Sequence, residues 1–354
     1  GNLWLAALSS VPQQQIVRDF SASRKKALLD RKNKKRTRSG LPNYKSRRNT
    51  QPSLNYCGGG FKLVEKGGAL RLRLTKRTAI PVVWSRELPA APTSVRVYRK
   101  PNGKWFASFV VDVTPEYDMS HTGNAVGIDW GVRETATTAT VDAQGEVRES
   151  KDLDMPFGAY ERKHEKSLAE TQRRMARRHR KGKRLSEQSR GYRKALRQYR
   201  ELKRRSAAQR EDAAHKWAVK VCRSSDAIAS EDFKPGFLFH TTMARKAHDA
   251  AIGKLMGVLE WQAVKRGRKF VKVNPAYTTQ DCSNCGARAK RRLKLQERVY
   301  KCERCGLMLD RDRNSAINML IGAGFIPGPM GTLRRSSAAA RDCAVPERSE
   351  SLRL

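Results

Sequence analysis

The sequence predicts an α/β chain: a small β-barrel, then a mixed sheet with helices, closed by a metal-clipped segment. Three observations predict it. Segments 61–113 alternate apolar and basic residues with strand period. Short apolar runs ending in an acid, NAVGIDWGV (Asn124 to Val132) and SDAIASEDF (Ser225 to Phe233), are separated by long helical patterns. Two C-x-x-C pairs stand sixteen residues apart near the C-terminus.

The 354 residues suffice for two or three packed units. Lys and Arg total 74 against 34 Asp and Glu, a net charge of +40. That excess repels itself unless an anionic partner lies against it, which points to nucleic acid, an anionic membrane surface or acidic proteins. No run of about 18 apolar residues is present, so no membrane span is expected. The opening GNLWLAALSSVP lacks a positive leader and a clear cleavage site, so no signal peptide is expected, and no initiator Met precedes it. The expected compartment is the cytoplasm, in association with the nucleoid. Seven cysteines, four paired at short spacing and three scattered (Cys57, Cys222, Cys343), do not form a disulfide framework.

From Leu3 to about Asp30 apolar residues recur at helical spacing. The basic stretch RKNKKRTRSGLPNYKSRR then reads as a loop meeting phosphates, with Lys45, Arg47 and Arg48 as candidate contacts. ALRLRLTK, TSVRVYRK and KWFASFVVDV read as strands. The last two form a hairpin about Pro101, Asn102 and Gly103, and basic residues on one face can track a nucleic-acid backbone. NAVGIDWGV is a buried strand, followed by a second hairpin around Asp142 to Gly145. From about Tyr160 to Cys222 the pattern is helical, with breaks near Gly182 and Gly191. Its stretch ERKHEKSLAETQRRMARRHRKGKRL would repel itself as an isolated helix, and a polyanion lying along it removes that cost. The candidate contacts are Arg173, Arg174, Arg177, Arg178, Arg180, Lys181, Lys183 and Arg184; the alternative is a solvated coiled-coil arm. SDAIASEDF is a strand, Ala244 to Gly267 an amphipathic helix, KFVKV (Lys269 to Val273) a strand, and Arg313 to Gly324 a short helix ended by glycines. The tail from about Phe325 is expected to be disordered.

Cys282, Cys285, Cys302 and Cys305 have the spacing of a four-thiolate zinc site. Each C-x-x-C turn aims two sulfurs at one point, and Gly286 and Gly306 let the chain turn tightly. Four thiolates close the coordination sphere, so the Zn²⁺ is structural and staples a ribbon with little apolar core.

Three acids stand out. Asp129 ends one strand, Glu231 ends another, and Asp312 lies at or just before a helix start. Singly, each reads as well as a cap or turn residue. GIDxG also occurs in actin-like ATPases and sugar kinases, but no nucleotide-specific glycine segment accompanies it. Together the three fit Mg²⁺, a hard cation with oxygen ligands, and two such ions about 4 Å apart clamp a phosphodiester. On this reading the clip positions the chain that delivers Asp312.

GIDWGV, SEDF, NPAYTTQDCSNCG, CERCG and LDRDRNSAINML together resemble the TnpB family, transposon-encoded RNA-guided DNA endonucleases similar to the compact type V CRISPR effectors. The resemblance runs from about Pro42 to Leu320. It implies an RNase H-like (RuvC) nuclease domain split around insertions, with a zinc ribbon, an amino-terminal β-barrel and a helical insert. It implies a guide RNA held by the barrel and helices, and target DNA, duplex and displaced strand, cut at one site. The family's acids fall on Asp129, Glu231 and Asp312, with Asp310 and Asp232 as neighbours of lower rank. The expected divisions are a partial helical recognition insert (1–50), the barrel (51–118), the nuclease domain (119–275) with its basic insertion (about 158–222), the ribbon (276–309), the last nuclease segment (310–324) and the tail (325–354). Relative to the family, the chain begins almost inside the first helix, so a first barrel strand and part of the recognition insert are expected to be absent. Two other readings stay open: a non-catalytic nucleic-acid binder such as a guided repressor, and an RNase H-like transposase or resolvase acting without RNA.

Overall fold

The structure, a computed structural model, describes residues 9–33, 39–43, 51–74, 79–112, 120–232, 234–294, 296–327 and 341–342. Lys45, Arg47 and Arg48 lie outside the described residues, as does the expected disorder of the tail except at residues 325–327 and 341–342, where it is corrected: Ile326 is buried and packs with Leu320, and Arg341–Asp342 pair with Lys272 and Val271. These residues fall into two compact units, 9–112 and 120–342.

The first unit opens with α1 (Ser10–Lys32). Six strands follow: β1 (Ser53–Cys57), β2 (Lys62–Lys66), β3 (Ala69–Arg73), β4 (Ala79–Pro81), β5 (Pro92–Arg99) and β6 (Trp105–Val111). They make two three-stranded antiparallel sheets, β1-β5-β6 and β2-β3-β4. Tyr56, Phe61, Leu72 and Val95, drawn from both sheets and the link between them, bury into one small core. The alternation read from the sequence is therefore real, because every second side chain of a strand reaches that core. The described strands form two facing sheets; no ladder joins them into a closed barrel. The β5–β6 hairpin turns at Pro101–Gly103 as expected, with Gly103 at φ 88°.

The second unit is built on a seven-stranded mixed sheet. Its strands are β7 (Ala125–Trp130), β8 (Glu134–Val141), β9 (Val147–Glu149), β10 (Met155–Pro156), β11 (Ala227–Glu231), β12 (Lys269–Val273) and β15 (Arg341–Asp342). The order is β10-β8-β7-β11-β12-β15, with β9 paired to β8. β7, β11 and β12 run parallel, and β8 is antiparallel to β7. Central β7 is buried along its whole length, as a strand covered on both faces must be.

Side-chain alternation sorts its residues. Val126, Ile128 and Trp130 pack with Trp217, Val221, Leu255 and Leu259 from α3 (Arg190–Ser224) and α5 (Ile252–Lys265). Ala125 lies on the other face with Ala316 and Leu320 of α6 (Arg311–Gly322). Gly127 belongs to that second face, where a Cβ would meet the Ala316 carbonyl oxygen at 2.1 Å. Only glycine lets α6 approach β7 so closely.

Several boundaries differ from the sequence reading. α2 (Glu165–Arg178) and α3, which starts at Arg190, are separated by one irregular stretch that contains Gly182 and ends just before Gly191, so the two expected breaks are the inside and the end of a single interruption. The expected helix 244–267 is two, α4 (Ala244–Ala250) and α5, divided at Ala251 with φ 48°. Nothing in the local sequence announces that left-handed residue. α6 begins at Arg311, two residues earlier than expected. The ribbon between β12 and α6 carries the two-stranded pair β13 (Val299–Lys301) and β14 (Met308–Asp310). Tyr300, fully buried between Cys282 and Cys302, serves as its small core.

Candidate active site and metal clip

Asp129 stands near the C-terminal end of β7 and Glu231 at that of β11. The parallel register pairs Ile128 with Ser230, so the two acids are the next step on adjacent strands. Period two fixes their face. Ile128 and Ser230 point toward α3 and α5, where Ser230 Oγ accepts the Trp130 indole N–H at 2.9 Å. Asp129 and Glu231 therefore point the other way, toward α6. Asp312 comes from the first turn of α6.

The electrostatics tie the three together. Burial, then the charges of Glu231 and Asp312, push the Asp129 carboxyl well above the usual carboxylate range, against the opposing Arg311 charge and the nearby Ser315 hydroxyl. Burial likewise pushes Glu231 up to about 7, although the Trp130 backbone N–H donates to its carboxylate. A buried acid raised by burial and by like charge, beside a half-buried one raised by burial, marks a place where added positive charge is favourable. The Ser315 hydroxyl beside them is buried and lacks good hydrogen-bond geometry to any partner. The three acids thus approach one another at one end of the sheet, but among the described residues only the four cysteines bring three or more metal-ligating atoms within 4.8 Å of one another.

Asp310 and Asp312 have separate tasks. Asp310 is the N-cap of α6, accepting the N–H of Asp312 at 2.8 Å and of Arg313 at 3.3 Å. Asp312 projects beyond the cap, accepting from Arg311 at 3.1 Å and from Arg298 of the ribbon at 3.3 Å. Asp232 continues from β11, its N–H bonded to the Val273 carbonyl at 2.7 Å.

The four cysteine sulfurs all lie within 4.8 Å of one another, with Cys282–Cys305 at 3.7 Å and Cys285–Cys302 at 3.5 Å. A tetrahedron with Zn–S bonds of about 2.3 Å has edges of about 3.8 Å, so the quartet fits zinc. Each pair sits on a tight turn closed by a bond from Gly286 N–H to the Cys282 carbonyl (2.8 Å) or from Gly306 N–H to the Cys302 carbonyl (3.0 Å). Both glycines have positive φ, 70° and 75°. The Leu307 N–H is the main influence lowering Cys305 to about 6, whereas burial pushes Cys282 up to about 12.

The clip is fastened to the acid-bearing helix by residues that sequence reasoning did not single out. Asn314 accepts the Ser283 N–H at 2.9 Å and donates to the Asp281 carbonyl at 2.8 Å. One turn on, Asn318 donates to the carbonyls of Asp281 (2.7 Å) and Thr278 (2.8 Å). Buried Arg313 forks onto Asp154 and reaches the Thr138 carbonyl, tying α6 to the sheet. Their spacing of four on α6 is the signal that could have found the two asparagines.

Of the predicted basic contacts, Arg173, Arg177, Arg178, Arg180, Lys181, Lys183 and Arg184 are exposed. Arg174 is partly buried and ion-paired with Glu170. The turn that carries Arg180 to Arg184 is held by buried Gln188, which accepts the Arg180 N–H at 2.9 Å and donates to the Arg180 and Lys183 carbonyls at 2.8 and 3.2 Å. Among the described residues, no helix is long and apolar enough to cross a membrane.

Two family models match, "Probable transposase" over residues 108–240 and "Cas12f1-like, TNB domain" over residues 253–319. A Streptomyces pristinaespiralis protein named "Putative RNA-guided DNA endonuclease" is 30% identical over 334 residues, which cover 93% of this chain and 75% of that protein. The chain belongs to the TnpB family. TnpB-like protein L79 of Acanthamoeba polyphaga mimivirus is 25% identical over 257 residues, 69% of this chain and 47% of that protein. Among solved structures, a Cas12f1–sgRNA–target DNA complex contains a chain matching with a TM-score of 0.49 at 16% identity, over 82% of this chain and 67% of that one. The first of the two family models spans Asp129 and Glu231, and the second spans the four cysteines and Asp312.

Proposed function

We propose that this TnpB-family protein is an RNA-guided DNA endonuclease with an RNase H-like (RuvC) catalytic core, and that Asp129, Glu231 and Asp312 hold Mg²⁺, two ions in the working enzyme. The observation that supports this reading is the placement of the three acids at one end of the sheet. Asp129 and Glu231 share one sheet face at adjacent strand ends, and Asp312 joins them from α6 closely enough to raise the Asp129 carboxyl.

Bound there, Mg²⁺ supplies an activated water and stabilisation of the leaving oxygen in phosphodiester hydrolysis. The chain's own residues prepare the site. The Trp130 N–H orients the Glu231 carboxylate. Arg298 and Arg311 flank Asp312 and offer guanidinium donors where an incoming phosphate needs them. The ribbon, with Zn²⁺ on Cys282, Cys285, Cys302 and Cys305, holds the start of α6 in register through Asn314 and Asn318.

The partners are a guide RNA and target DNA. Base pairing reads sequence in such a system, while the protein reads backbone shape and a short flanking motif. The basic turn between α2 and α3 and the basic sheets of the first unit hold the phosphates. The cytoplasm, on the nucleoid, is where both nucleic acids are met.

The test is to purify the protein through high salt, sequence the RNA that stays bound, and assay a matched DNA target with Mg²⁺. The expected result is one discrete RNA species and cutting that disappears in Asp129→Ala. Cutting without RNA supports the transposase or resolvase reading instead. RNA binding with no cutting by the parent protein supports the guided-repressor reading.

A further inference from the structure

Tyr277 adopts φ 68°, one of three non-glycine residues with positive φ among the described residues. A bulky side chain in that region is strained and persists only where its surroundings over-determine it. Here they do. The Tyr277 carbonyl accepts the N–H groups of Gln280 (2.8 Å) and Asp281 (2.9 Å), the Ala276 N–H bonds to Asn274 Oδ1 at 3.0 Å, and Asn318 of α6 holds the carbonyl of the next residue.

The ring this strain presents is not buried. Tyr277 is 50% exposed. The Arg288 guanidinium covers one face, 3.6 Å from the ring centroid. Asp281 fixes that guanidinium by accepting from Nε at 2.7 Å and Nη2 at 3.1 Å. The result is a tyrosine backed on one side by an immobilised cation and still half open to solvent.

Its place in the fold gives the open side a meaning. β12 is parallel to β11 and pairs Val273 with Glu231. The segment 274–281 therefore leaves the sheet at the strand ends that carry Glu231 and Asp129. In sheets of parallel strands, ligands bind outside those ends.

We infer that Tyr277 is a stacking platform that takes one unpaired nucleobase of the DNA strand entering the acid site. This rests on the nuclease reading for the source of the strand, and it adds a positioning residue to that reading. A flat ring already held in place loses little freedom on stacking, and every base has a π-face, so the contact orders the strand without selecting its sequence.

The experiment uses the full-length protein with its co-purified RNA. Single-stranded DNA carrying 2-aminopurine or an abasic site at successive positions is bound in EDTA, then cut with Mg²⁺. In the parent protein one position should show quenched 2-aminopurine, and an abasic site there should slow cutting about five- to a hundredfold. Tyr277→Phe and Tyr277→Trp should keep both effects. Tyr277→Ala and Tyr277→Gly should lose them with zinc content unchanged, and the abasic site should cost these two variants nothing more. Tyr277→Gly accepts the positive φ freely, so it guards against simple misfolding.

The inference is overturned if no position in the parent is sensitive to base removal. It is also overturned if Tyr277→Ala behaves as the parent, or if Tyr277→Phe falls as far as Tyr277→Ala. Quenching that depends on Tyr277 in a protein that never cuts supports the platform and defeats the nuclease reading. Cutting indifferent to Tyr277 does the reverse.

Discussion

Gly127 lies so near the carbonyl oxygen of Ala316 that a methyl group on it would stand 2.1 Å from that atom. The contact is backbone against backbone, so no side-chain rotation can relieve it. It sets the height of α6 above β7, and with it the distance from Asp312 to Asp129. Gly127→Ala is expected to destabilise the second unit by about 3 kcal/mol. Chemical denaturation of the full chain should show this as a lower midpoint, together with loss of cutting. A midpoint equal to the parent's would mean that α6 does not seat on β7 as described.

Asp129 trades stability for function. Burial and the neighbouring acids raise its carboxyl, so without metal the folded state holds more protons there than the unfolded state. Stability from this group is then complete below the unfolded value of about 4 and falls as pH rises toward the raised folded value. Asp129→Asn removes that loss. In EDTA at pH 8 its Tm should exceed the parent's, and the difference should vanish near pH 4, while cutting with Mg²⁺ is abolished. A lower Tm at pH 8 would contradict the electrostatic picture of the site.

Asp310 and Asp312 should separate cleanly. Asp310→Ala removes a helix cap and is expected to cost about 1 kcal/mol, with cutting retained at permissive temperature. Asp312→Asn should keep the fold and remove the proposed metal ligand, so cutting should be lost. The measurement is Tm beside cleavage rate for both variants, and the reversed pattern would exchange the two roles.

The bonds from Asn314 to the ribbon predict an effect at a distance from the metal. Asn314→Leu leaves the Ser283 N–H unpaired and loosens the first cysteine turn, which then hangs on α6 through Asn318 alone, at a cost of about 1–3 kcal/mol. Zinc content should remain at the parent level while cutting falls. Zinc lost together with activity would show that the amide supports the clip itself and not its attachment.

The basic turn between α2 and α3 makes a salt-dependent prediction. Replacing Arg177, Lys181 and Lys183 with Glu should weaken RNA binding and flatten the dependence of log affinity on log salt, because fewer counterions are released. Arg174→Glu should act mainly on the helix pair, since Arg174 already bonds to Glu170 and Gln198. An unchanged salt slope in the triple variant would place the nucleic acid elsewhere.

The sequence by itself determined the parts of this protein that depend on neighbours along the chain. The cysteine turns were legible because each needs only two residues and a glycine. The strands carrying Asp129 and Glu231 were legible because burial on both faces demands a continuous apolar run, and the net charge of +40 was plain from composition alone. What only the tertiary structure decided involves groups far apart in sequence. Strand register put Glu231 beside Asp129, and the close approach at Gly127 brought Asp312 to them. The caps of α6 separated Asp310 from Asp312, and Ala251 broke a helix that periodicity reads as one. The two sheets of the first unit, expected as a barrel, were likewise decided by which faces meet. Local pattern sets which side of an element is apolar; which elements then meet depends on packing across the whole unit, and no short window of sequence contains that.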